Sequence, residues 1–394
     1  MTDRVVVVGA SLAGLRAVES LETLGHTGEI VVVGKEAAMP YNRPPLSKAA
    51  LSLGFDDASL TFRLRSEHAN VSWRLGEEAV ALDLEGSSID LASGETIEFD
   101  KLLVATGIEP RTLSTPAPLA GRHVVRTLDD ARSLRGRLRP GVTVLVVGAG
   151  VLGCELAASA RLAGADVVIV APEQLPMQMA LGAEFAAEIE RRHQVMGIEF
   201  IMSAMVERYE DDDGRTGVEL TNGARLTVDV VVEAVGSTPN VDWLEGNGLD
   251  LSNGVLCDNT MRAEPTRRVF AAGDVARFPN PLFDDVPRRI EHWSVPTETA
   301  RRAAAGMTTP DGELPTFAPL PSFWSDQFDW RIQAFGMPVL GTGDVRVLDG
   351  RVGQGEFVLG YHREGRLVGV AGTGRAVNAH RKPLLAALQS AQVA

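Results

Sequence analysis

The sequence predicts an α/β fold in which one arrangement of strand, turn and helix occurs twice. Two runs of β-branched and aliphatic residues, at 5–8 and 144–147, each lead into a turn of small residues and then into an Ala- and Leu-rich helical pattern. The chain has 394 residues, too many for one hydrophobic core, so we expect two or three domains. Hydrophobic residues make up 45% and charged residues 23% of the chain, the proportions of a globular protein.

Each turn carries a glycine pattern that is typical of dinucleotide binding. Residues 9–14 read Gly-Ala-Ser-Leu-Ala-Gly, and residues 148–153 read Gly-Ala-Gly-Val-Leu-Gly. In this pattern the first glycine permits the tight turn, the second lets the backbone approach a pyrophosphate, and the third lets the helix pack on the strand. Ser11 replaces the second glycine of the first turn, where its small side chain should be tolerated and its hydroxyl can donate to a phosphate. The predicted dinucleotide contacts of the two turns come from Gly9, Ser11, Leu12, Ala13, Gly14, Gly148, Gly150, Val151, Leu152 and Gly153.

Two such units in one chain predict two Rossmann-like domains whose dinucleotides meet in one active site, typically a flavin and a nicotinamide. An acidic residue, Glu36 or Glu173, lies shortly after the second strand of each unit, where a carboxylate accepts hydrogen bonds from a ribose. No arginine or lysine occurs between Val167 and Ala183, so nothing there offers a charge partner to a 2′-phosphate. The sequence therefore favours NADH over NADPH.

The first unit and its continuation predict these elements in order. A helix at 12–24 leads to a strand at 30–33, and a proline-rich loop follows at 39–48. Alternating patterns separated by Glu-Gly and Ser-Gly turns predict strands over 71–97. A buried strand within 99–107 then ends in a small polar turn.

The second half of the chain repeats this order. The second unit spans 144–170, and strands are predicted over 198–226 with a hairpin turn at 211–214, which reads Asp-Asp-Asp-Gly. The run at 230–236 corresponds to the buried strand of the first half. A further apolar strand within 269–275 ends in small residues and an acid.

The composition changes from about residue 315 onward. Phe, Trp and Gln occur there in short alternating patterns, with a turn at 363–365 and a terminal helix at about 382–392. This segment predicts a small C-terminal α+β domain.

Charge, hydropathy and cysteine content exclude several classes of function. The formal net charge of −14 argues against binding to nucleic acid or to an anionic membrane. No apolar stretch reaches the roughly 18 residues of a membrane span, and the N-terminal valine run lacks a signal-peptide flank, so we expect a cytoplasmic protein. Cys154 and Cys257 form no closely spaced redox pair, and Cys154 is expected to be a buried structural thiol. The histidines show no metal-ligand spacing, so we expect no metal.

Seven segments make the chain resemble the FAD-dependent NAD(P)H:ferredoxin reductases of oxygenase and cytochrome P450 systems, a family that includes putidaredoxin reductase and the biphenyl dioxygenase reductase. The segments are Tyr-Asn-Arg-Pro-Pro-Leu-Ser-Lys at 41–48, Ala-Thr-Gly at 105–107, Gly-Ala-Gly-Val-Leu-Gly-Cys-Glu at 148–155, Gly-Ser-Thr-Pro-Asn at 236–240, Ala-Ala-Gly-Asp-Val at 271–275, Arg-Ile-Glu-His-Trp at 289–293 and Ser-Phe-Trp-Ser-Asp-Gln at 322–327. The first and last of these are the most specific. The chain departs from the family pattern at Ser11, at Asn42, where Asp is common, and at Ala171, where an acid often ends the strand.

The resemblance implies a glutathione-reductase-like arrangement of three domains. These are a discontinuous FAD-binding domain at 1–110 and 237–315, an NAD(H)-binding domain at 111–236 and a C-terminal α+β domain at 316–394. No histidine or cysteine lies in a recognisable flavinylation motif, so the FAD should be held non-covalently.

Lys48 and Glu155 are the predicted catalytic residues. Only four of the 38 lysine and arginine residues are lysines, and Lys48 ends a proline-rich loop. The resemblance implies that Lys48 lies near the flavin and that Glu155 faces the nicotinamide and can pair with Lys48. It also implies that Asp274 holds the ribityl chain and that Arg43 contacts the pyrophosphate or adenosine of FAD. The other cofactor-binding residues implied are Pro45, Val80, Ala105, Thr106, Gly107, Arg111, Gly236, Gly273, Val295 and, beside the isoalloxazine, Trp293 and Trp324.

These cofactors predict the function. Nicotinamide gives up two electrons as a hydride, an iron–sulfur protein accepts one at a time, and a flavin can do both. The expected partner is a [2Fe–2S] ferredoxin that supplies an oxygenase such as a cytochrome P450. Because the chain is acidic, as ferredoxins usually are, docking needs a local basic patch. The candidates are Arg63, Arg65, Arg301, Arg302, Arg346, Arg381 and Lys382.

Two alternatives stay open at the level of sequence. An NADH oxidase would pass electrons to oxygen without a ferredoxin, whereas the related peroxidases need a reactive cysteine that the 42–47 loop lacks. A flavin-holding redox or interaction protein like apoptosis-inducing factor shares the architecture, but it would need long insertions or targeting segments.

Overall fold

The computed structural model describes residues 3–52, 54, 60–62, 70–114, 121–263, 268–309 and 314–390. The predicted α/β class is confirmed, since strands and helices alternate through both predicted units. Among the described residues, no helix is long and apolar enough to cross a membrane.

Seven α-helices and 26 strands are numbered in chain order within the described ranges. The helices are α1 Leu12–Thr23, α2 Ala49–Ser52, α3 Leu128–Arg137, α4 Val151–Leu162, α5 Gln178–Val195, α6 Val295–Thr308 and α7 Ala376–Ser390. Short 3₁₀ helices occupy Pro44–Ser47, Asp242–Leu244, Gly273–Val275 and Pro338–Gly341. The first strands are β1 Val5–Val8, β2 Ile30–Gly34, β3 Val71–Leu75, β4 Ala79–Asp83, β5 Ser88–Leu91, β6 Thr96–Glu98, β7 Lys101–Val104, β8 Ile108–Pro110, β9 Arg122–His123, β10 Thr143–Val147, β11 Asp166–Ala171, β12 Ile198–Met202 and β13 Val206–Asp212. The remaining strands are β14 Arg215–Leu220, β15 Arg225–Val228, β16 Val230–Glu233, β17 Ser237–Pro239, β18 Val255–Leu256, β19 Val269–Ala271, β20 Ala276–Asn280, β21 Asp284–Arg289, β22 Ser322–Gln327, β23 Trp330–Gly336, β24 Val345–Arg351, β25 Gln354–Arg363 and β26 Arg366–Thr373.

The first compact unit consists of Met1–Asn42, Ala58–Glu109 and Thr238–Ser322. Its centre is a five-stranded parallel sheet in the order β3-β2-β1-β7-β19. The valine-rich strands β1 and β2 are buried along their whole length, as expected for a parallel sheet that is covered on both faces. Helices α1 and α6 pack against each other. Strands β4–β6 form an antiparallel sheet, and β18, β20 and β21 form another small sheet.

The second compact unit consists of Arg43–Asp57, Pro110–Ser237 and Phe323–Ala394. It contains a second five-stranded parallel sheet, in the order β12-β11-β10-β16-β9, beside the antiparallel strands β13–β15. A further five-stranded sheet, β22-β23-β26-β25-β24, packs against α7. The three-domain division proposed from the sequence stays a prediction. The compact units keep the 43–57 loop with the second parallel sheet.

The predicted elements agree with the structure except at the start of the terminal helix. The hairpin turn within 211–214 joins β13 to β14, with positive φ values of 51° at Asp213 and 82° at Gly214 that match a tight hairpin. Of the strands predicted over 71–97, β3 joins the parallel sheet and β4–β6 form the antiparallel sheet. The terminal helix begins at Ala376, earlier than predicted, and Pro383 lies inside it.

The early start of α7 has a tertiary cause. Val377, Leu384 and Leu388 are buried on one face of the helix. Pro383 removes one backbone donor. Packing of the apolar face on the sheet keeps the preceding turns helical, although a proline is typical of a helix start.

A buried ion pair connects two strands of the second parallel sheet. The Glu233 side chain, at the end of β16, is 1% exposed, and Arg122 of the neighbouring β9 donates to its carboxylate at 2.9 Å. The Tyr209 hydroxyl donates to the same carboxylate at 2.9 Å, and burial raises the pKa of Tyr209 above its usual range. The backbone N–H of Leu113 donates to it at 3.2 Å. These contacts compensate for the loss of hydration of the carboxylate.

Arg122→Leu should therefore lower the free energy of unfolding by about 3 kcal/mol, because it leaves a buried carboxylate without its cation. Urea denaturation followed by circular dichroism measures this change. The matched control is Arg225→Leu, which removes a 64%-exposed partner of Glu219 and should cost less than about 1 kcal/mol. Equal midpoints for the two variants would show that the Arg122–Glu233 pair does not stabilise the fold.

Candidate active site

The turn after β1 has the geometry of a dinucleotide-binding turn. Gly9 has a φ of +124°, and a Cβ atom there would lie 2.1 Å from the backbone oxygen of Ala105. A Cβ atom on Gly14 would lie 2.1 Å from the backbone oxygen of Gly9. Both positions exclude a side chain, because the chain turns sharply from β1 into α1 and brings backbone atoms close together. The first backbone N–H groups of α1, which have no partner within the helix, lie directly after this turn.

The turn after β10 is the same structure built on a different sequence. Gly148 has a φ of +106°, and a Cβ atom there would lie 2.3 Å from the backbone oxygen of Ala234. A Cβ atom on Gly153 would lie 2.0 Å from the backbone oxygen of Gly148. Helix α4 begins at Val151, so its N-terminal N–H groups also lie directly after a glycine turn.

The middle position of the two turns obeys a different constraint. Ser11 and Gly150 are both the N-caps of their helices and both have extended backbone angles, with φ of −122° and −75°. A Cβ atom on Gly150 would meet no atom within 4 Å. Neither backbone needs glycine at this position, which explains why serine replaces it in the first turn. The open space and the N-terminal N–H groups of the helix fit a pyrophosphate.

The structure brings the predicted 105–107 segment to the first turn, because β1 and β7 are adjacent parallel strands and end at the same sheet edge. The Ala105 N–H donates to Val8 at 2.7 Å. The Thr106 hydroxyl donates to the backbone oxygen of Asn240 at 2.7 Å, and the Asn240 side chain returns a hydrogen bond at 3.0 Å. These hydrogen bonds fix the 105–107 segment against Val8 at one end and against Asn240 at the next residue.

Gly273 and Asp274 lie at the same edge. The N–H of Gly273 donates to the Thr299 hydroxyl at 2.9 Å, and a Cβ atom on Gly273 would lie 3.1 Å from the Cβ of Ala13. The half-buried Asp274 follows, and its backbone oxygen accepts from Arg289 at 3.0 Å. The structure therefore gathers three of the predicted FAD-binding segments at one edge of the first unit.

Other predicted residues of the first unit have distinct environments. Glu36 accepts a hydrogen bond of 2.6 Å from the Tyr41 hydroxyl, which orients the carboxylate. Trp293 is half-buried just before α6, and Val295 is buried at the first position of that helix. Val80 lies on β4 in the antiparallel sheet and is 48% exposed.

The second unit brings Lys48 and Glu155 together, as predicted. The Lys48 ammonium donates to Glu155 Oε2 at 2.7 Å, and the two side chains are 15% and 5% exposed. The Ser47 hydroxyl donates to the same oxygen at 2.6 Å. Helix α4 carries Glu155, and the 3₁₀ helix Pro44–Ser47 places Lys48 against it. Ser159, one turn further along α4, donates to the backbone oxygen of Ser47 at 2.7 Å.

The other carboxylate oxygen of Glu155 is also occupied. Ser325 on β22 donates to Oε1 at 2.7 Å, and Gln327 on the same strand donates to the Ser325 hydroxyl at 2.9 Å. The ring of His193 contacts the Gln327 oxygen at 2.8 Å. Sequence reasoning placed Ser325 and Gln327 in a family motif without assigning them a role. Their spacing of two residues on a strand, which puts both side chains on one face, was the available signal.

The remaining predicted residues of the second unit lie as follows. Arg43 donates to the backbone oxygen of Arg126 at 2.7 Å. The N–H of Arg111 donates to the oxygen of Gly236 at 3.0 Å, which places these two predicted residues side by side.

The predicted ribose acceptor and the second tryptophan have moderate exposure. Glu173 is half-buried, and its backbone oxygen accepts from Ser203 at 2.9 Å, which fixes the loop after β11. Trp324 is half-buried, and the guanidinium of Arg331 lies 5.7 Å from its ring centre.

The structure corrects one docking candidate. Arg302 is only 8% exposed; it donates to the backbone oxygen of Asn259 at 2.8 Å and lies over the ring of Phe317. Burial also lowers the pKa of Arg302. The residue faces the interior of the first unit and cannot meet a partner, whereas Arg301, on the other face of α6, is exposed.

The other docking candidates differ in what the structure shows of them. Arg381 and Lys382 are exposed on α7, and Arg346 is paired with Asp344 at 2.7 Å. Arg63 and Arg65 lie outside the described residues.

Both cysteines are buried free thiols. Burial raises the pKa of Cys154 and of Cys257 above the usual range, which disfavours the reactive thiolate. The prediction that Cys154 is a buried thiol is confirmed. Within the described ranges, no three His, Cys, Asp or Glu side chains cluster closely enough to hold a metal ion.

Comparison with known proteins gives one consistent result. The pyridine nucleotide-disulphide oxidoreductase profile matches residues 3–300, and the reductase C-terminal profile matches residues 322–393. A ferredoxin–NAD(+) reductase component of the anthranilate 1,2-dioxygenase system of Burkholderia cepacia is 36% identical over 98% of this chain and 94% of its own length. A probable ferredoxin reductase of Castellaniella defragrans is 35% identical over 93% of this chain and 90% of its own.

The solved structures agree with the sequences. The reductase in a covalent putidaredoxin reductase–putidaredoxin complex superposes with a TM-score of 0.91, at 28% identity, over 98% of this chain and 93% of that chain. The resemblance inferred from the motifs is thereby confirmed. The chain belongs to the pyridine nucleotide-disulphide oxidoreductase family, among the ferredoxin reductases of oxygenase systems.

Proposed function

We propose that this chain is an NADH-dependent ferredoxin reductase that supplies electrons to an oxygenase such as a cytochrome P450. The observation that carries the proposal is the buried Lys48–Glu155 pair on the helix of the second dinucleotide turn, in a chain that has two such turns. The two relatives compared above, both ferredoxin reductases, support the same activity.

Two cofactors fit the two turns. In the first unit, FAD would be held by the turn at Gly9–Gly14, by Glu36 and by Asp274. In the second unit, NADH would be held by the turn at 148–153 and by Glu173. When bound, FAD takes a hydride from NADH and releases the two electrons singly, as an iron–sulfur acceptor requires.

Lys48 and Glu155 have different roles in the proposed site. Prolines at 44 and 45 restrict the backbone before Lys48, so the loop is stiff. The Lys48 ammonium is also within 3.3 Å of the Pro44 backbone oxygen, which limits its movement. A positive charge with only 15% exposure is weakly screened and acts strongly on its surroundings. We propose that Lys48 stabilises the negative charge that reduction brings to the cofactor and that Glu155 fixes its ammonium.

A cytoplasmic location is part of the proposal, because NADH is supplied there. Activity found only in the periplasmic fraction of the native host would contradict it.

The purified protein, loaded with FAD, should reduce cytochrome c with NADH much faster when a [2Fe–2S] ferredoxin is present. The ferredoxin carries single electrons that the reductase delivers poorly to cytochrome c itself. Absorbance at the cytochrome c band measures both rates. Oxygen consumption that is equally fast without ferredoxin, with no ferredoxin-dependent rate, would instead indicate an NADH oxidase.

Ferricyanide reduction separates docking from chemistry in this experiment, because a small acceptor needs no protein surface. Arg301→Glu should lower the ferredoxin-dependent rate and leave ferricyanide reduction nearly unchanged. Equal losses in both assays would place Arg301 in the support of the cofactor site.

NADH should be preferred over NADPH by at least about tenfold in kcat/KM, which needs only about 1.4 kcal/mol. Glu173 carries a negative charge that repels a 2′-phosphate, and no basic residue occurs between Val167 and Ala183. Steady-state ferricyanide reduction with each donor measures the ratio. Equal values, or a preference for NADPH, would contradict the assignment of Glu173.

Lys48→Ala should slow flavin reduction by NADH about 100-fold, because a preorganised charge in a dry site contributes a few kcal/mol. Stopped-flow bleaching of the flavin absorbance measures the rate, and the FAD content per chain should stay near one. The matched control is Lys35→Ala, which removes a 73%-exposed lysine. An unchanged rate in the Lys48 variant would reduce that residue to a structural role.

A further inference from the structure

Three hydrogen bonds connect the carboxylate of Glu155 to a buried histidine in the second unit. They run from Glu155 to Ser325 at 2.7 Å, from Ser325 to Gln327 at 2.9 Å and from Gln327 to His193 at 2.8 Å. Ser325, Gln327 and His193 have no exposed surface, and Glu155 is 4% exposed. Burying this many polar groups is costly unless each has a defined partner. We call the connected residues Glu155, Ser325, Gln327 and His193 the relay.

The chemistry of its members fixes the direction of the relay. A carboxylate only accepts hydrogen bonds, so the Ser325 hydroxyl donates to Glu155. The Gln327 amide nitrogen then donates to Ser325, which leaves the amide oxygen facing His193 as an acceptor. His193 must therefore carry its proton on Nε2. Every donor points toward Glu155, so the dipoles add and all favour a negative charge at that carboxylate.

The histidine at the far end is neutral. Burial lowers the pKa of His193 to about 4, so the ring is uncharged at pH 7. Its Nδ1 atom is buried and has no hydrogen-bond partner among the described residues, as expected when the proton is on Nε2. Phe200 and Phe328 pack against the ring, with centres 5.9 Å and 5.4 Å away. A cavity of about 200 Å³ adjoins His193 and is lined partly by Met196 and Trp330.

Gln327 also connects the relay to the second dinucleotide turn. Its amide nitrogen contacts the sulfur of Met177 at 3.5 Å, and the N–H of Met177 donates to the backbone oxygen of Ala149 at 2.8 Å. Met177 has a φ of +57°, a left-handed conformation that is unfavourable for methionine and needs support from its surroundings. The Gln327 amide thus contacts Ser325, which donates to Glu155, and also Met177, which donates to the dinucleotide turn.

We propose that Ser325, Gln327 and His193 are positioning residues that hold the Glu155 carboxylate, and through it the Lys48 ammonium, in the geometry needed for hydride transfer from NADH. The inference rests on the proposed function, since it assigns the relay to the same site. None of the three residues contacts the Lys48 ammonium, so their effect passes through Glu155.

The test compares Ser325→Ala and Gln327→Leu with Ser325→Thr and with the control Gln333→Leu. Gln333, on the neighbouring strand β23, is hydrogen-bonded to Asn378 away from the relay. Stopped-flow flavin bleaching at several NADH concentrations gives the limiting rate and the NADH dissociation constant separately. Ser325→Ala should lower the limiting rate about tenfold, the effect of losing one hydrogen bond to a charged group. Gln327→Leu, which removes the hydrogen bond that orients the Ser325 hydroxyl, should lower the rate by a smaller factor. In Ser325→Ala the NADH dissociation constant should change less than about twofold, because the hydrogen bonds of Ser325 do not involve the dinucleotide turn. Ser325→Thr, which keeps the hydroxyl, should restore most of the rate.

A second measurement does not depend on turnover. In protein labelled with ¹⁵N-histidine, the His193 ring, assigned with His193→Phe, should show a protonated Nε2 and a bare Nδ1. Gln327→Leu should abolish the slow exchange of the Nε2 proton, because its acceptor is gone. A ring protonated on Nδ1 in the wild-type protein would overturn the relay even if a variant fails to fold.

The kinetic outcomes separate the two proposals. Rates of Ser325→Ala and Gln327→Leu equal to that of Gln333→Leu, with a slow Lys48→Ala variant, would overturn the relay alone. A Lys48→Ala rate equal to that of the wild type would overturn the proposed role of Lys48 in flavin reduction, on which the relay depends.

Discussion

The burial of the Glu155 carboxylate is the constraint from which much of the second unit follows. An ionised carboxylate that leaves water must receive charge and hydrogen bonds from the protein. Two separate parts of the sequence meet this requirement: Ser47 and Lys48 donate to one oxygen, and Ser325 donates to the other. The segment Pro44–Lys48 and strand β22 are distant in sequence from α4, yet both must approach it closely. One acidic side chain thus determines where two other segments of the unit lie.

The two dinucleotide turns depend on a second constraint, the contact between backbones. In each turn the first glycine lies against the backbone directly after the neighbouring parallel strand, and the third glycine lies against the first. Such contacts leave no room for a Cβ atom, and they also hold strand and helix at a fixed separation. The two turns differ in sequence but have nearly the same geometry. A Cβ atom on the first glycine would lie 2.1 Å from the nearest backbone oxygen in one turn and 2.3 Å from it in the other.

The sequence predicted the parallel strands and the glycine turns, because continuous apolar runs and glycine spacing are local signals. The Lys48–Glu155 pair was implied by the resemblance to the ferredoxin reductases. The sequence misplaced the start of α7, because packing of Val377 and Leu384 outweighs the local preference of Pro383. It treated Arg302 as a surface charge, since the direction that an arginine faces on a helix rich in alanine has no clear local signal. It assigned no role to His193, because the contact with Gln327 joins residues 134 positions apart. Long-range polar contacts of this kind need the tertiary structure.

The middle position of each dinucleotide turn is less constrained than the glycines on either side of it. At Ser11 and Gly150 the fold imposes no demand on φ, and at Gly150 it leaves the space for a side chain empty. A side chain at this position therefore avoids the backbone clash that it would meet at the flanking glycines. Serine in one turn and glycine in the other are both compatible with the extended backbone of the N-cap, so this position can differ between the two turns while the flanking glycines cannot.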